Sequence, residues 1–207
     1  LLSFVKPGVW EYEIEAELMH EFLRNRSKGF AYTPIIASGE NANVLHYIAN
    51  NMQCKDGDVI LLDVGAEYAN YSSDLTRMIP VNGKFTARQK EIYNAVLDMK
   101  NFATSLLVPG NNWYDYHKEC GDFYTSKFLE LGLLDKADVQ NQDKNWPAYK
   151  KYMMHGTSHH LGLDTHDYGI LKDKFVENMV FTVEPGIYLP AEGFGVRIED
   201  DMVIQNS

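Results

Sequence analysis

Four of the seven histidines of the 207-residue chain lie in one short run, MHGTSHHLGLDTHD, at residues 154–167. Such a run could form a metal site, a catalytic pocket or a solvated loop. His155 and His159 have the i, i+4 spacing of the HExxH zinc motif, but Gly156 stands where that motif has its glutamate. Gly156 and Gly162 also disfavour a helix through the run. The zinc-protease motif is therefore excluded, and the histidines need partners from elsewhere in the chain.

Two aspartates lie in a segment typical of a β-hairpin, DVILLDVGAEYANYSSDLTRMIPV. Asp63 lies in the apolar run Val59–Val64, where an ionised carboxylate is costly unless it is paired or bound to a metal. If the turn centres between Tyr68 and Ala69, Asp74 faces Asp63 on the same side of the sheet. Two facing carboxylates favour a cation between them. A lone structural aspartate with an unrelated exposed one, or a bulge that breaks the pairing, is equally compatible with this hairpin alone.

The C-terminal segment MVFTVEPGIYLPAEGFGVRIEDDMVI repeats this arrangement. An apolar strand, residues 179–183, leads into Glu184, and a turn is expected at residues 191–195. Arg197 and Glu199 are two positions apart and share one face of the following strand. Glu184 and Glu199 are separated by an odd number of positions, so they can oppose each other across the hairpin. An edge strand with solvated charges is the alternative, which the occurrence of the same pattern in two hairpins disfavours.

Four carboxylates from two hairpins could hold two divalent cations close together, and His159 is well placed to complete the set. Such an oxygen-rich set with one imidazole suits Mn²⁺ best, with Co²⁺, Fe²⁺ or Zn²⁺ as alternatives. Mg²⁺ fits less well once an imidazole is included.

Three apolar stripes at helical spacing predict the helices that pack around these hairpins. The first covers residues 11–24, the second runs from Thr86 to the Val108-Pro109-Gly110 break, and the third covers residues 113–133. Thr86 and Gln89 form a T-x-x-Q capping box at the start of the second helix. The polar segment 133–151 predicts a surface connection.

The composition excludes several classes of function. The net charge of -10 disfavours nucleic acid or an anionic membrane as a partner. The sequence has neither an apolar run of membrane-spanning length nor the pattern of a secretory signal at its start. Cys54 and Cys120 form neither a CxxC pair nor a disulfide framework, so we expect a cytoplasmic protein.

Several of these segments together resemble the metallopeptidases of the pita-bread fold, the group that includes methionine aminopeptidase, aminopeptidase P, prolidase and the metal-free creatinase. The segments are LLDVGAEYANYSSDLTRMIPVNGKFT, MHGTSHHLGLDTHD, FTVEPGIYLP, GVRIEDDMVI and SGENANVLHY. Within the family, the chain is most similar to the catalytic domain of aminopeptidase P, with prolidase as the near neighbour. The resemblance implies an α+β fold: two halves related by a pseudo-two-fold axis and a curved antiparallel sheet flanked by helices.

The resemblance also assigns roles to individual residues. It implies that a dinuclear metal centre is held by five side chains, Asp63, Asp74, His159, Glu184 and Glu199. Its catalytic residues would be Glu184 as the general base, His46, His155 and His166 in the pocket, and Arg197 behind the ligands, with Tyr188 as a further candidate. His20, His117 and His160 receive no role.

The implied activity is release of the N-terminal residue from peptides with proline in the second position, by attack of a hydroxide bridging two metal ions. A prolidase that cleaves Xaa-Pro dipeptides is the alternative. A non-catalytic peptide-binding domain and a metal-free creatinase-like hydrolase rank lower, because both usually lack several of the five ligands. A homo-oligomer is left open.

Members of the aminopeptidase P and prolidase branch usually carry a separate N-terminal domain before the catalytic one. Here the chain begins just before KPGVWEYEIEAEL and stops soon after MVIQNS, where relatives continue. We therefore expect residues 1–207 to be a catalytic domain truncated at both ends.

Overall fold

The computed structural model of the protein describes residues 1–205 as a mixture of helices and short antiparallel strands. The helices are α1 (Glu11–Arg24), α2 (Ala87–Ser105), α3 (Trp113–Glu130) and α4 (Lys136–Gln140). The strands of the first half are β1 (Gly29–Phe30), β2 (Ile35–Ser38), β3 (Val59–Asp63), β4 (Ala66–Tyr68), β5 (Tyr71–Ser72) and β6 (Thr76–Pro80). Those of the second half are β7 (Val180–Val183), β8 (Gly186–Leu189), β9 (Phe194–Arg197) and β10 (Asp200–Val203).

The first carboxylate hairpin forms as expected, but its register differs from the prediction. The turn is made by Ala69 and Asn70, both of which have positive φ, so β4 and β5 pair with Tyr68 opposite Tyr71. Asp63 is consequently paired with Thr76 rather than with Asp74. The predicted pairing was wrong by two positions, which preserves the side of the sheet because side chains alternate with a period of two.

The second carboxylate hairpin has the predicted register. Gly186 pairs with Arg197 in β8 and β9, and Val183 pairs with Asp200 in β7 and β10. Between these two pairs, the same register places Glu184 opposite Glu199, where neither residue belongs to a regular strand. Two consecutive pairings of one hairpin therefore bring both glutamates to one place.

Helices α2 and α3 cover the sheet through the apolar stripes that the sequence shows. Ile92, Val96 and Met99 of α2 are completely buried and share one core with Val59 and other residues of the central strands. The Thr86 hydroxyl accepts a hydrogen bond from the backbone amide of Gln89, and the Thr86 backbone amide donates to the Gln89 side-chain oxygen, so the predicted capping box is confirmed. α3 ends at Glu130, three residues before the predicted end.

The connection at residues 133–151 contains more structure than its polarity predicted. It forms the short helix α4 and a 3-10 turn at Ala148–Lys151. The Asp135 side chain caps α4 by accepting from the backbone amide of Asp138, and the Asp135 backbone amide donates to the Asp138 carboxylate. A capping box with aspartate at both positions departs from the usual S/T-x-x-E/Q pattern, which is why no helix was predicted there.

Within residues 1–205, no helix is both long and apolar enough to cross a membrane.

Candidate metal centre

The two carboxylate hairpins and the histidine run border one cavity of about 530 Å³. All five predicted metal ligands line it: Asp63, Asp74, His159, Glu184 and Glu199. The other predicted catalytic residues, His46, His155, His166 and Arg197, line it as well. Residues from four separate segments of the sequence thus meet in one place.

Asp63 and Asp74 are joined by a tyrosine hydroxyl. The Tyr32 hydroxyl lies 2.6 Å from an oxygen of Asp63 and 2.6 Å from an oxygen of Asp74. Both carboxylates are largely buried, at 8% and 5% exposure. Gly65 lies between them in the sequence, where a Cβ would stand 1.7 Å from the Ser73 carbonyl oxygen. Because Gly65 has no side chain, the backbone around Gly65 and Ser73 can approach closely enough for Tyr32 to contact both carboxylates.

Arg197 stands behind the cavity and connects both hairpins. Its guanidinium donates to Asp63 Oδ2 at 2.5 Å, to the Tyr188 hydroxyl at 2.9 Å and to Thr76 Oγ1 at 3.3 Å. The Thr76 hydroxyl in turn donates to Glu199 Oε2 at 2.6 Å. Arg197 is 4% exposed, so these fixed donors hold two of the four carboxylates in a region of low dielectric.

Three of the five predicted ligands already approach the spacing of a metal site. One ligand atom each from Asp74, His159 and Glu199 lie within 4.8 Å of one another. His159 Nε2 lies 3.5 Å from Asp74 Oδ2 and 3.6 Å from Glu184 Oε1. His159 Nδ1 lies 2.9 Å from the His160 carbonyl oxygen, so Nδ1 donates there and Nε2 is the nitrogen that points toward the carboxylates.

The donor set fits divalent cations on chemical grounds. Burial raises the pKa of Glu199 well above its ordinary range and also raises that of Asp63, even though Arg197 acts to lower the pKa of Asp63. Burial likewise raises the pKa of Glu184 to about 7. Crowded, buried carboxylates hold protons because their charges are not neutralised, and divalent cations would neutralise them.

The two ring nitrogens of His155 are both engaged. Nε2 lies 2.7 Å from the Tyr188 hydroxyl and Nδ1 lies 2.7 Å from the Gly156 carbonyl oxygen. Burial and the nearby Arg197 lower the pKa of His155 to about 3, so the ring is neutral. The consistent assignment is that Arg197 donates to Tyr188, Tyr188 donates to Nε2, and Nδ1–H donates to the carbonyl. Nδ1 is also the nitrogen facing Glu184, at 3.8 Å from Oε2.

The remaining histidines divide into two groups. His46 and His166 border the cavity, and the His166 ring lies 4.4 Å from the His159 ring between centroids. His160 instead packs against Phe181 and stacks on Trp113. His20 and His117 lie in α1 and α3 and do not border the cavity.

Sequence reasoning missed two residues that hold the predicted ligands, Tyr32 and Thr76. Thr76 has a signal that could have been used, because it is two positions after Asp74 in a strand and therefore shares its face. Tyr32 has none, since it precedes β2 in an irregular segment. Tyr188 was a weaker candidate in the sequence, and its hydrogen bonds to His155 and Arg197 place it between two predicted site residues.

Comparison with solved structures defines the fold class. The chain superimposes with a TM-score of 0.90 and 39% identity on zinc-substituted aminopeptidase P of Escherichia coli in complex with product, covering 99% of this chain and 49% of that one. An α+β arrangement with antiparallel strands and this degree of similarity makes the chain a pita-bread domain, as expected.

The family follows from the sequence comparisons. The model of metallopeptidase family M24 matches residues 1–206, so the chain belongs to that family. A Xaa-Pro aminopeptidase of Haemophilus influenzae is 43% identical over 98% of this chain and 50% of its own length. A Xaa-Pro dipeptidase of Mus musculus is 35% identical over 100% of this chain and 51% of its own length. The chain thus spans about half the length of these relatives.

Proposed function

We propose that the protein is a dinuclear metal-dependent aminopeptidase that removes the N-terminal residue from peptides with proline in the second position. The observation that carries the proposal is the convergence of four carboxylates and one imidazole on one cavity. Similarity to Xaa-Pro aminopeptidases supports the substrate class. The free thiols of Cys54 and Cys120 support a reducing, cytoplasmic setting.

The ligands proposed for the two ions are Asp63, Asp74, His159, Glu184 and Glu199. When bound, the ions would make hydroxide available near neutral pH and polarise the scissile carbonyl, which is chemistry suited to Mn²⁺ with Co²⁺, Fe²⁺ or Zn²⁺ as alternatives. Arg197 holds the Asp63 carboxylate directly and Glu199 through Thr76, so both keep their orientation when substrate enters.

Glu184 is the proposed general base. Burial raises its pKa to about 7, near the value at which a carboxylate can both accept and return a proton at neutral pH. His155 is the proposed donor to the developing oxyanion. Because its Nε2 accepts from Tyr188, the available proton is that on Nδ1, which must leave the Gly156 carbonyl to reach the substrate.

His46 and His166 are proposed to orient the peptide along the cavity wall. A proline in the second position makes the scissile amide tertiary, so the substrate offers no N–H there. The cavity accordingly needs shape rather than an acceptor at that point. The apolar side chains of Ile35, Leu45 and Ile48, which border the cavity, can supply such a surface.

The first test substitutes Asp74 by alanine. We expect Asp74→Ala to abolish hydrolysis of an Xaa-Pro tripeptide and to reduce the bound divalent metal, because Asp74 contributes to the three-residue group with His159 and Glu199. Lys172→Ala is the matched control, since Lys172 is exposed and does not border the cavity. Unchanged turnover in the Asp74 variant of an active preparation would defeat the metal assignment.

A prolidase is the second candidate, favoured by the similarity to the mouse Xaa-Pro dipeptidase. Parallel assays with an Xaa-Pro dipeptide and a longer Xaa-Pro peptide separate the two, because cleavage of the dipeptide alone favours prolidase. Metal analysis of the purified protein tests the non-catalytic and creatinase-like alternatives, which predict no stoichiometric divalent metal.

A further inference from the structure

A buried carboxylate outside the cavity holds one of its walls. Glu11, the first residue of α1, is completely buried. Its Oε1 accepts from the Ser38 backbone amide at 2.8 Å, the Ser38 hydroxyl at 2.7 Å and the Asn41 side-chain amide at 3.2 Å. Its Oε2 accepts from the Tyr47 hydroxyl at 2.7 Å and the Met52 backbone amide at 2.9 Å.

Five neutral donors therefore satisfy the buried Glu11 carboxyl group, which also lies at the positive end of the α1 dipole. All five belong to residues 38–52. A carboxylate can accept this many bonds at once, whereas the NH2 group of a glutamine would face at least two of these donors in either orientation of the amide. The identity of the side chain at position 11 therefore determines whether this arrangement can form.

The segment held by Glu11 forms part of the cavity. Leu45, His46 and Ile48 line it, yet within residues 38–52 only Gly39–Asn43 forms a helical turn. His46 immediately precedes Tyr47, whose hydroxyl is bound to Glu11. The position of His46 thus depends on a segment that has little regular backbone structure and whose side-chain hydrogen bonds to Glu11 fix it at several points.

A second contact from the same helix holds the far end of the segment. The Asn50 side-chain amide donates to Glu15 Oε2 at 2.9 Å and to the Pro34 carbonyl oxygen at 3.0 Å. Its oxygen accepts from the backbone amide of Ile36 at 3.0 Å. Glu15 is one turn after Glu11, so α1 holds both flanks of His46 and ties them to β2, the neighbour of the Asp63 strand.

We propose that Glu11 is a positioning residue for catalysis: its carboxylate sets the location of His46 in the cavity without contacting substrate or metal. The inference rests on the proposed function in its use of His46. It extends the catalytic assembly to α1, which lies outside the cavity and contributes no metal ligand.

The test is a double-mutant cycle between Glu11→Gln and His46→Ala. Glu11→Gln alone should lower kcat/KM for an Xaa-Pro tripeptide by about 10- to 100-fold, since small displacements of a positioned group have effects of this size. Bound metal per chain should stay unchanged. In the His46→Ala background, Glu11→Gln should lower kcat/KM by less than about twofold, because Glu11 acts through His46. Glu17→Gln, on the exposed face of α1, is the control and should have no effect.

Amide hydrogen exchange provides a readout that needs no catalysis. In Glu11→Gln, exchange should accelerate across residues 39–52 and remain unchanged across residues 155–166. Tyr47→Phe, which removes a single bond to Glu11, should give a smaller acceleration and serves if Glu11→Gln does not fold. Additive losses in the cycle, or unchanged exchange at residues 39–52, would overturn the proposal. If the unsubstituted protein cleaves no Xaa-Pro peptide, the proposed function fails separately and exchange alone decides the role of Glu11.

Discussion

The pKa values of Glu184 and His159 are both raised at the position where divalent cations would bind. Burial raises the pKa of Glu184 to about 7. Burial is the largest single influence on the pKa of His159 and acts to lower it, but Asp74, the His160 carbonyl and Glu184 together outweigh burial, so the net shift is upward. Both groups must lose their protons to serve as ligands, so protons and metal ions compete for the same site.

This competition gives a prediction for the pH dependence of metal affinity. A carboxyl with a pKa of about 7 is protonated below that pH, so Mn²⁺ affinity should weaken as the pH falls. From pH 8 to pH 6, displacement of one such proton weakens binding by about tenfold. Isothermal titration calorimetry in buffers with different protonation enthalpies measures both the affinity and the protons released.

Glu184→Gln is the control for this measurement. It removes the carboxyl proton, so proton release on metal binding should decrease while the contribution of His159 persists. An affinity that does not change between pH 6 and pH 8 would contradict the assignment of Glu184 as a ligand.

At the scale of elements, the turn of the first hairpin determines which residues face each other. Ala69 and Asn70 have φ values of 53° and 72°, in the left-handed region that two-residue hairpin turns require. Asparagine tolerates this region, whereas alanine pays a steric penalty there. The turn therefore contains a residue whose conformation is unfavourable for its type.

Replacing that alanine should stabilise the protein. Ala69→Gly relieves the steric penalty and costs some backbone entropy, for a net gain of about 0.5–1 kcal/mol in the free energy of unfolding. Ala16→Gly, at an exposed position in the middle of α1, should do the opposite and lose about 1 kcal/mol. Urea denaturation measures both, and a loss of stability in Ala69→Gly would contradict this account of the turn.

The same turn shows which features of the fold could be predicted from the sequence and which could not. Period-two alternation placed Asp63 and Asp74 on one side of the sheet, and this survives any shift by two positions. Their pairing required the turn residues, and Ala-Asn lacks the Asn-Gly signature that marks such a turn. Helix α1 was predicted with its observed ends because Pro7-Gly8 and a regular apolar stripe bound it. α4 was missed because its capping box uses aspartate at both positions.

The residues of the candidate site also divide into those that the sequence predicts and those that it does not. Carboxylates in apolar strands and the histidine run are unusual enough to be found in one sequence. Tyr32 contacts Asp63, which is 31 positions away in the sequence, and Glu11 contacts Ser38, which is 27 positions away. No pattern in the neighbouring sequence distinguishes Tyr32 or Glu11 from ordinary residues. The sequence thus predicts the groups that could bind metal better than the groups that hold them.

At the scale of the whole molecule, the proposed metal ions would join distant parts of the chain. Asp63 and Asp74 come from the hairpin before α2, whereas Glu184 and Glu199 come from the hairpin after α3. The two hairpins also meet directly, since the Glu199 backbone amide donates to the Thr76 carbonyl oxygen at 3.2 Å. Ions bound between them would connect segments more than a hundred positions apart and neutralise their mutual repulsion.

We therefore expect Mn²⁺ to stabilise the fold. A ligand that binds only the folded state at about 100 times its Kd adds about 2.7 kcal/mol to the free energy of unfolding. Denaturant unfolding with excess Mn²⁺ and with a chelator measures this difference. Asp74→Ala should reduce the difference strongly, whereas Lys172→Ala should leave it unchanged. Equal stability with Mn²⁺ and with the chelator would mean that the two hairpins are held together without metal.

A crystal structure of the Mn²⁺-loaded protein, with anomalous scattering recorded for manganese, would show directly whether the five side chains bind two ions. We predict two manganese peaks in the cavity, coordinated between them by four carboxylates and one imidazole: Asp63, Asp74, His159, Glu184 and Glu199. A crystal grown with excess manganese that shows no anomalous signal in the cavity would contradict the proposed metal centre. In that crystal Asp63 would contact only Arg197 and Tyr32, and the other carboxylates would contact no ion.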